Sequence, residues 1–555
     1  MAAQLPVPVF TSLDQAIPDI QTATVQGVRY QQLVEEYEKR FGHKPTYIAR
    51  APGRVNLIGE HIDYVLFGAF PAAIERDILI ACGPSLPSAS GATETSAPGG
   101  VRAHNLNPKY DPQTFTPMLK SGGPSAAEEA DAASAVHAEA AWHLDINTRE
   151  LRWESYIKAG YYGVLSRFFP AAVAGSHKQD HPVPVDLLFT GSVPSGSGLS
   201  SSAAMVVAST LAFLTVNNKL DGVSKGQLVE MAMENETRVG VNSGGLDQAA
   251  SVICTTHSAL YVTFFPRLGA ELIPLPTPRT TPRAVFVCAN SLVVSDKLVS
   301  AKWHYNLRVV ETLVGARILA NKLGIQLGPS DRPTFRVILS RWLGTPESEL
   351  DADALKTGIE RFLPEVEKLR PAREGRLAGE EGVTMQEMIE LSGLSAEQFH
   401  KVYLSWVEVE AEYFQLYKRA RHVFTEALRV IEFREVCLRA NASADAPPPA
   451  DTLAKLGALM DESHESCATL CESSCAEVDA LCRLAKAAGA YGSRTTGAGW
   501  GGCTVSLVAE DKVEEFIARI KAGYEPYRTL EGEKLREVIF ATKPSAGAFV
   551  LKLGG

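Results

Sequence analysis

Only nine of the 555 residues are cysteine, and they are scattered without paired CxxC spacing. That excludes a zinc-ribbon pattern and a disulfide-dense scaffold, and fits free thiols in a reducing cytosol. Long apolar runs are missing too: none reaches membrane-spanning length, so no transmembrane helix is expected. Positive charge is not in excess. The net charge is −10, which argues against a general nucleic-acid binder. The opening MAAQLPVPVFTSLDQAIPDI has no basic stretch followed by an apolar core, so no secretory leader is expected and a cytoplasmic location is. What is present, 45% hydrophobic and 21% charged residues, is the balance of an ordinary globular protein. The length allows two or more domains with full cores.

The chain is organised around residues 191–204, GSVPSGSGLSSSAA. An apolar run, 185–189, feeds into it, and a helical pattern, 205–214, leaves it. Its glycines let backbone approach a ligand closely. A helix starting near Ser200 presents open N–H groups and a positive dipole end, a combination that holds phosphate. No lysine follows the glycines, so this is not a Walker A loop.

Two further stretches carry chemistry. Residues 50–64, RAPGRVNLIGEHIDY, are expected as short strands 47–51 and 55–58 on either side of a Pro52–Gly53 turn. They deliver Arg54, Glu60, His61 and Asp63 together, a set able to grip sugar hydroxyls. Residues 492–508, GSRTTGAGWGGCTVSLV, run glycines straight into an apolar strand, a second backbone lining for a nucleotide site. Between them, 239–251, VGVNSGGLDQAAS, place Asp247 at a predicted helix start. There a carboxylate stabilises the dipole whatever else it does.

Elsewhere, 1–26 reads as an irregular lead-in and 28–41 as a helix. Residues 84–140, rich in Ala, Ser, Gly and Pro, read as a surface insertion with a short hairpin or turn near 101–110. Helices are predicted over 153–169, 224–238 with Ser224 as N-cap, 302–323, 396–433 and 512–523, with one long helix over 452–488. In that long helix His464 and the thiols recur at helical spacing, which points to a buried stripe rather than a metal site. Residues 442–449 read as a Pro/Ala linker, and 538–550 as the last strand.

The three glycine-bearing stretches, with VGVNSGGLDQAAS, YNLRVVE and MDESHESC, together resemble the GHMP small-molecule kinases, and within them the galactokinase family and its fungal branch. The resemblance runs from about residue 47 to the end, apart from the insertions. It implies an α+β, two-domain fold, an N-terminal domain over 27–283 and a C-terminal one over 284–555, with the active site in the cleft between. The implied reaction is ATP-dependent phosphorylation of the C1 hydroxyl of α-D-galactose, the first committed step of the Leloir route, by a monomeric enzyme. It implies Asp247 as catalytic base with Arg54 supporting it. Arg54, Glu60, His61, Asp63, Ser243, Gly244, Asp247 and Tyr305 would form the galactose site. Gly196, Gly198, Ser200, Ser201, Ser295, Asp296 and Lys297 would contact ATP. Ser201 and Glu236 would hold Mg²⁺, with Glu234 the competing acidic residue. Ser197 stands where relatives often carry Gly, and Ser243 where the fungal branch often has Asn. Two other roles share these motifs: a galactose- and ATP-sensing protein that binds a transcriptional repressor, and N-acetylgalactosamine kinase. Inactive relatives of the sensing kind lack part of the Ser-Ala run that is intact here at 200–204, so the resemblance implies catalysis rather than sensing.

Overall fold

The computed structural model describes residues 2–17, 20–86, 97–119, 142–147, 150, 152–170, 180–240, 244–276, 283–294, 300–345, 350–371, 382–442 and 449–554. The strands in these residues are β1 (Val9–Phe10), β2 (Tyr47–Asn56), β3 (Pro71–Pro84), β4 (Val101–Asn105), β5 (Gln113–Phe115), β6 (Met118–Leu119), β7 (Trp142–His143), β8 (Val185–Gly191), β9 (Ser258–Thr263), β10 (Gly269–Pro274), β11 (Ala284–Asn290), β12 (Gly492–Thr496), β13 (Cys503–Ala509), β14 (Ile539–Thr542) and β15 (Phe549–Lys552). Seven form one sheet in the order β1-β15-β2-β3-β8-β4-β5, and four form a second in the order β12-β13-β11-β14. The pairs β9–β10 and β6–β7 are two-stranded.

The first sheet is buried on both faces, and the period-2 alternation of its strands divides its side chains between two cores. Ile48, Leu79, Ala81, Leu188 and Phe549 pack with Leu33 and Tyr37 of the helix Ile20–Phe41. Their strand neighbours Ala49, Ile80, Cys82, Leu187 and Val550 pack with the helices Trp153–Phe168 and Ser201–Val216. Tyr161 and Phe213 stack between those two helices with ring centroids 3.9 Å apart. Each large apolar side chain so buried contributes about 1.5–3 kcal/mol. The largest core joins the loop after β2 to the helices Tyr305–Lys322 and Leu416–Ala440. It is therefore the core that seats the loop bearing Glu60 and Asp63.

Several expectations need correction. Residues 47–58 are not two strands across a turn. β2 is continuous to Asn56, and Pro52–Gly53 is a bulge that shifts its register against β3. A Cβ on Gly53 would lie 2.7 Å from the Leu199 carbonyl, so the bulge is where the phosphate-type loop presses its backbone against β2. The lead-in 1–26 is not irregular: it holds β1, a helical turn at Leu13–Ala16 and the start of Ile20–Phe41. Of the supposed surface insertion, 87–96 and 120–140 lie outside the described residues, but β4 enters the first sheet parallel to β8 with Val101 and Ala103 buried. Residues 171–179 and 443–448 also lie outside the described residues. The expected helix 396–433 is interrupted, with Ala396–Phe399 and Leu416–Ala440 as its α-helical parts. Residues 452–488 are likewise two helices, Thr452–Ser466 and Ala476–Ala487, separated by a wide turn over Cys467–Cys471 and by Glu472 at φ +53°. Arginines explain that break. Arg419 donates to the Leu470 carbonyl at 2.6 Å, and Arg308 to the Cys471 and Glu472 carbonyls at 2.6 and 3.0 Å, taking up acceptors that a continuous helix would use itself. Finally, 538–550 is not one strand. β14 belongs to the second sheet, while β15 returns to the first, between β1 and β2. Ser224 does cap Lys225–Glu236, in a capping box with Gln227.

Candidate active site

β8 ends at Gly191, and the loop 192–200 turns into the helix Ser201–Val216. No side chain caps that helix, so its first-turn N–H groups stay open to a ligand. Gly196 and Gly198 have positive φ, and Ser200 sits at φ +58°. The Ser200 hydroxyl is buried and has no hydrogen-bond partner among the described residues. The glycines of 497–502 close the other side. A Cβ on Gly497 would stand 2.3 Å from the Gly198 carbonyl, and one on Gly502 would stand 2.8 Å from the Ser197 carbonyl. The Cys503 N–H donates to the Ser197 carbonyl at 2.8 Å. Two backbone segments from opposite halves of the chain thus meet with no side chain between them.

Arg54 ties this loop to the aspartate. Its Nε donates to Asp247 Oδ1 at 2.7 Å, and its Nη1 donates to the Gly198 carbonyl at 2.5 Å. Asp247 lies in the first turn of Leu246–Ile253, behind Gly245 at φ +95°. Asp63 is close by. A Cβ on Gly244 would lie 2.4 Å from Asp63 Oδ2, so glycine is required there. Burial, and then the charge of Asp247, push the Asp63 carboxyl up to about 7. Burial also raises Glu60, against the pull of Arg494. Its Oε1 accepts the Gly497 N–H at 2.8 Å.

His61 packs against Tyr305, Tyr64 and Trp500, with ring centroids 5.5, 5.9 and 5.4 Å away. Burial pushes its imidazole down to about 3, so the ring is neutral. Nε2–H donates to the Ala498 carbonyl at 3.0 Å, and Nδ1 accepts from the Tyr64 hydroxyl at 3.2 Å. Both nitrogens are therefore engaged by the protein, which fixes the ring against Tyr305, Tyr64 and Trp500. Tyr305 opens its helix facing the same carboxylates: burial, then Asp63, Asp247 and Glu60, raise its phenol far above the usual range.

Glu236 is buried, whereas Glu234 is exposed. Gln248, the residue after Asp247, donates to Glu236 Oε2 at 2.5 Å. Carboxylate and hydroxyl oxygens, such as Glu236 and Ser201 carry, are the donor types that suit a hard divalent cation such as Mg²⁺. Ser243, Ser295, Asp296 and Lys297 lie outside the described residues. The sequence reading did not single out Arg494, Trp500, His422 or Glu426. The first two stood in plain view inside GSRTTGAGWGG. The latter pair lies on the helix Leu416–Ala440, whose pattern signalled only core.

The two sheets, the glycine-lined junction and the aspartate beside it define a GHMP kinase. Family models of the GHMP kinase N terminal domain and the GHMP kinase C terminal region match residues 162–255 and 450–526, and a galactokinase galactose-binding signature matches 35–84. A galactokinase of Dictyostelium discoideum is 33% identical over 98% of this chain and 98% of its own, and one of Saccharomyces cerevisiae is 34% identical over 94% of each. The chain belongs to the galactokinase family. Its fold also matches the crystal structure of Lactococcus lactis galactokinase complexed with galactose, with a TM-score of 0.57 and 22% identity over 94% of this chain and 99% of that one. Among the described residues no helix is long and apolar enough to cross a membrane.

Proposed function

We propose that this protein transfers the γ-phosphoryl group of ATP to the C1 hydroxyl of α-D-galactose, giving galactose 1-phosphate and ADP. The observation that carries the reading is the Arg54 bridge, which fixes Asp247 and the Gly198 backbone on one guanidinium. An acceptor hydroxyl beside Asp247 then lies next to the phosphate-holding junction.

In the proposed reaction, Asp247 takes the proton from the C1 hydroxyl as its oxygen bonds to the γ-phosphorus. The bond from that phosphorus to the bridging oxygen breaks, and ADP leaves. The transition state is loose, so positioning and charge matter more than strong basicity. Arg54 supplies fixed positive charge beside the transferring group. Asp63, titrating near neutrality, can donate to or accept from a sugar hydroxyl, and Tyr305 and His61 shape the wall around it. Gly196, Gly198, Ser200 and Ser201 cradle the phosphates, and the partnerless Ser200 hydroxyl is a donor suited to them. Ser201 and Glu236 would hold Mg²⁺, which when bound neutralises β- and γ-phosphate charge. All nine cysteines are free and eight are buried, which suits a reducing cytoplasm.

The test is galactose-dependent ADP release by purified protein, with N-acetylgalactosamine run in parallel. Asp247→Asn is expected to keep galactose affinity by calorimetry and to lose about 10²–10⁴-fold in kcat. Near-normal turnover in that variant would remove Asp247 as the base. Faster turnover of N-acetylgalactosamine would change the substrate. Galactose binding without ADP release by the unmodified protein would make it a sensor.

A further inference from the structure

The helix Leu416–Ala440 turns one stripe, His422, Glu426 and Val430, toward the loop that follows β2. The spacing of four residues puts the three on one face, and all three are buried. Val430 fits against Gly59: at φ +104°, a Cβ there would lie 3.0 Å from Val430 Cγ2 and 2.9 Å from Ala69 Cα. Glu426 Oε1 accepts the Gly59 N–H at 2.8 Å and the Ser463 hydroxyl at 2.6 Å, and lies 3.4 Å from the Glu60 N. Glu426 Oε2 takes Arg429 Nε at 2.8 Å. His422 Nε2–H donates to the Glu60 carbonyl at 2.9 Å, and its Nδ1 accepts from Ser466 Oγ at 2.8 Å.

We propose that His422 and Glu426 are positioning residues for the sugar loop, gripping the backbone of Gly59 and Glu60 so that the carboxylates of Glu60 and Asp63 stand at the hexose; this rests on the galactose site proposed above. The physical need is plain. An apolar helix face would cover the loop but leave a buried N–H and C=O without partners, and such groups are costly to leave unpaired. One acceptor and one donor, four residues apart, answer that pair of backbone groups. Their protonation states agree with the roles. Burial pushes His422 down to about 4, leaving a neutral ring with its proton on Nε2. Burial alone would raise Glu426, but the charges of Arg429 and Arg494 and the hydrogen bond from Ser463 bring it down to about 2, so it is a pure acceptor. The serines 463 and 466, three apart on Thr452–Ser466, fasten the two side chains from behind. The grip therefore comes from the C-terminal half of the chain, while the carboxylates it aims come from the N-terminal half.

Steady-state kinetics on the full chain test this with Glu426→Gln, His422→Leu and His422→Gln. A glutamine at 426 turns at least one N–H toward an existing donor. A glutamine at 422 can still donate to the Glu60 carbonyl. Glu426→Gln and His422→Leu are expected to raise the galactose KM roughly tenfold, the effect of one or two lost hydrogen bonds, with the ATP KM within about twofold and kcat falling less than KM rises. His422→Gln should bring the galactose KM back close to that of the unmodified enzyme. Should Glu426→Gln fail to fold, Ser463→Ala, which only loosens the carboxylate, is expected to give the same split at smaller size. An unchanged galactose KM, or galactose and ATP KM rising together, would overturn the proposal. An unmodified protein inert toward galactose would instead overturn the functional reading beneath it.

Discussion

At the scale of single residues, Asp63 is the side chain whose environment makes the sharpest demand. Its carboxyl is held near 7 in the folded protein by burial and by Asp247, against about 3.9 in an unfolded chain. Below about pH 4 both states carry the proton and nothing is lost. Between about 4 and 7 the unfolded chain ionises while the folded one resists, so stability falls as pH rises, and above 7 the full penalty stands. Asp63→Asn is therefore expected to melt above the unmodified protein by a margin that grows from pH 4.5 to 7.5, roughly 1–3 °C for a chain this size, while losing galactose affinity. A margin that stays flat with pH would remove the raised carboxyl. The motif RAPGRVNLIGEHIDY made Arg54, Glu60, His61 and Asp63 visible together, because the polar side chains crowd one strand end. It did not show that His61 spends both nitrogens on Ala498 and Tyr64, since those partners are set by packing between distant segments. Nor did it show Glu426, whose role depends on which helix face the loop meets.

At the scale of elements, the junction between loop 192–200 and the glycines of 497–502 depends on missing side chains. Gly497 sits at φ +93° and would place a Cβ 2.3 Å from the Gly198 carbonyl. Gly497→Ala adds about 1–2 kcal/mol of backbone strain to that clash, and the backbones must separate. The expected outcome is an ATP KM raised tenfold or more, little change in the galactose KM, and an unaltered circular dichroism spectrum. Unchanged ATP kinetics would show that the junction is not part of the nucleotide site. Glycine stretches are the most legible feature of this chain, because only close backbone approach calls for so many in fixed places. The same residue type misled at Pro52–Gly53, where a turn signal is in fact a bulge made necessary by the Leu199 carbonyl. The helical pattern over 452–488 hid its break for a comparable reason: Arg308 and Arg419, which donate to the freed carbonyls, are remote in sequence. An apolar run such as 549–552 announces a strand but not its sheet, so the return of β15 could be found only in three dimensions.

At the scale of the whole molecule, two neutral histidines staple the two halves across the site. His61 donates from the N-terminal half to Ala498, and His422 donates from the C-terminal half to Glu60. Burial depresses both, to about 3 and about 4, against about 6.5 when unfolded. The sign follows. Above 6.5 neither state is protonated there and the staples are at full strength. As pH falls below 6.5 the unfolded chain takes up protons that the folded one refuses, and stability drains away down to the folded values near 3 and 4. Asp63 pulls the other way over part of this window, so the unmodified melting curve alone reports only the balance. His422→Gln isolates one staple, because it keeps a donor for the Glu60 carbonyl and cannot titrate. Its melting temperature is expected to fall less steeply than that of the unmodified protein between pH 6.5 and 4, while the two run parallel above pH 7. Galactose bound at the site proposed beside the staples should raise both curves. Parallel curves down to pH 4 would mean that His422 carries its extra proton in the fold, against the burial of the ring and the charges of Arg429 and Arg419, which together outweigh the opposite pull of Glu426 and the Glu60 carbonyl.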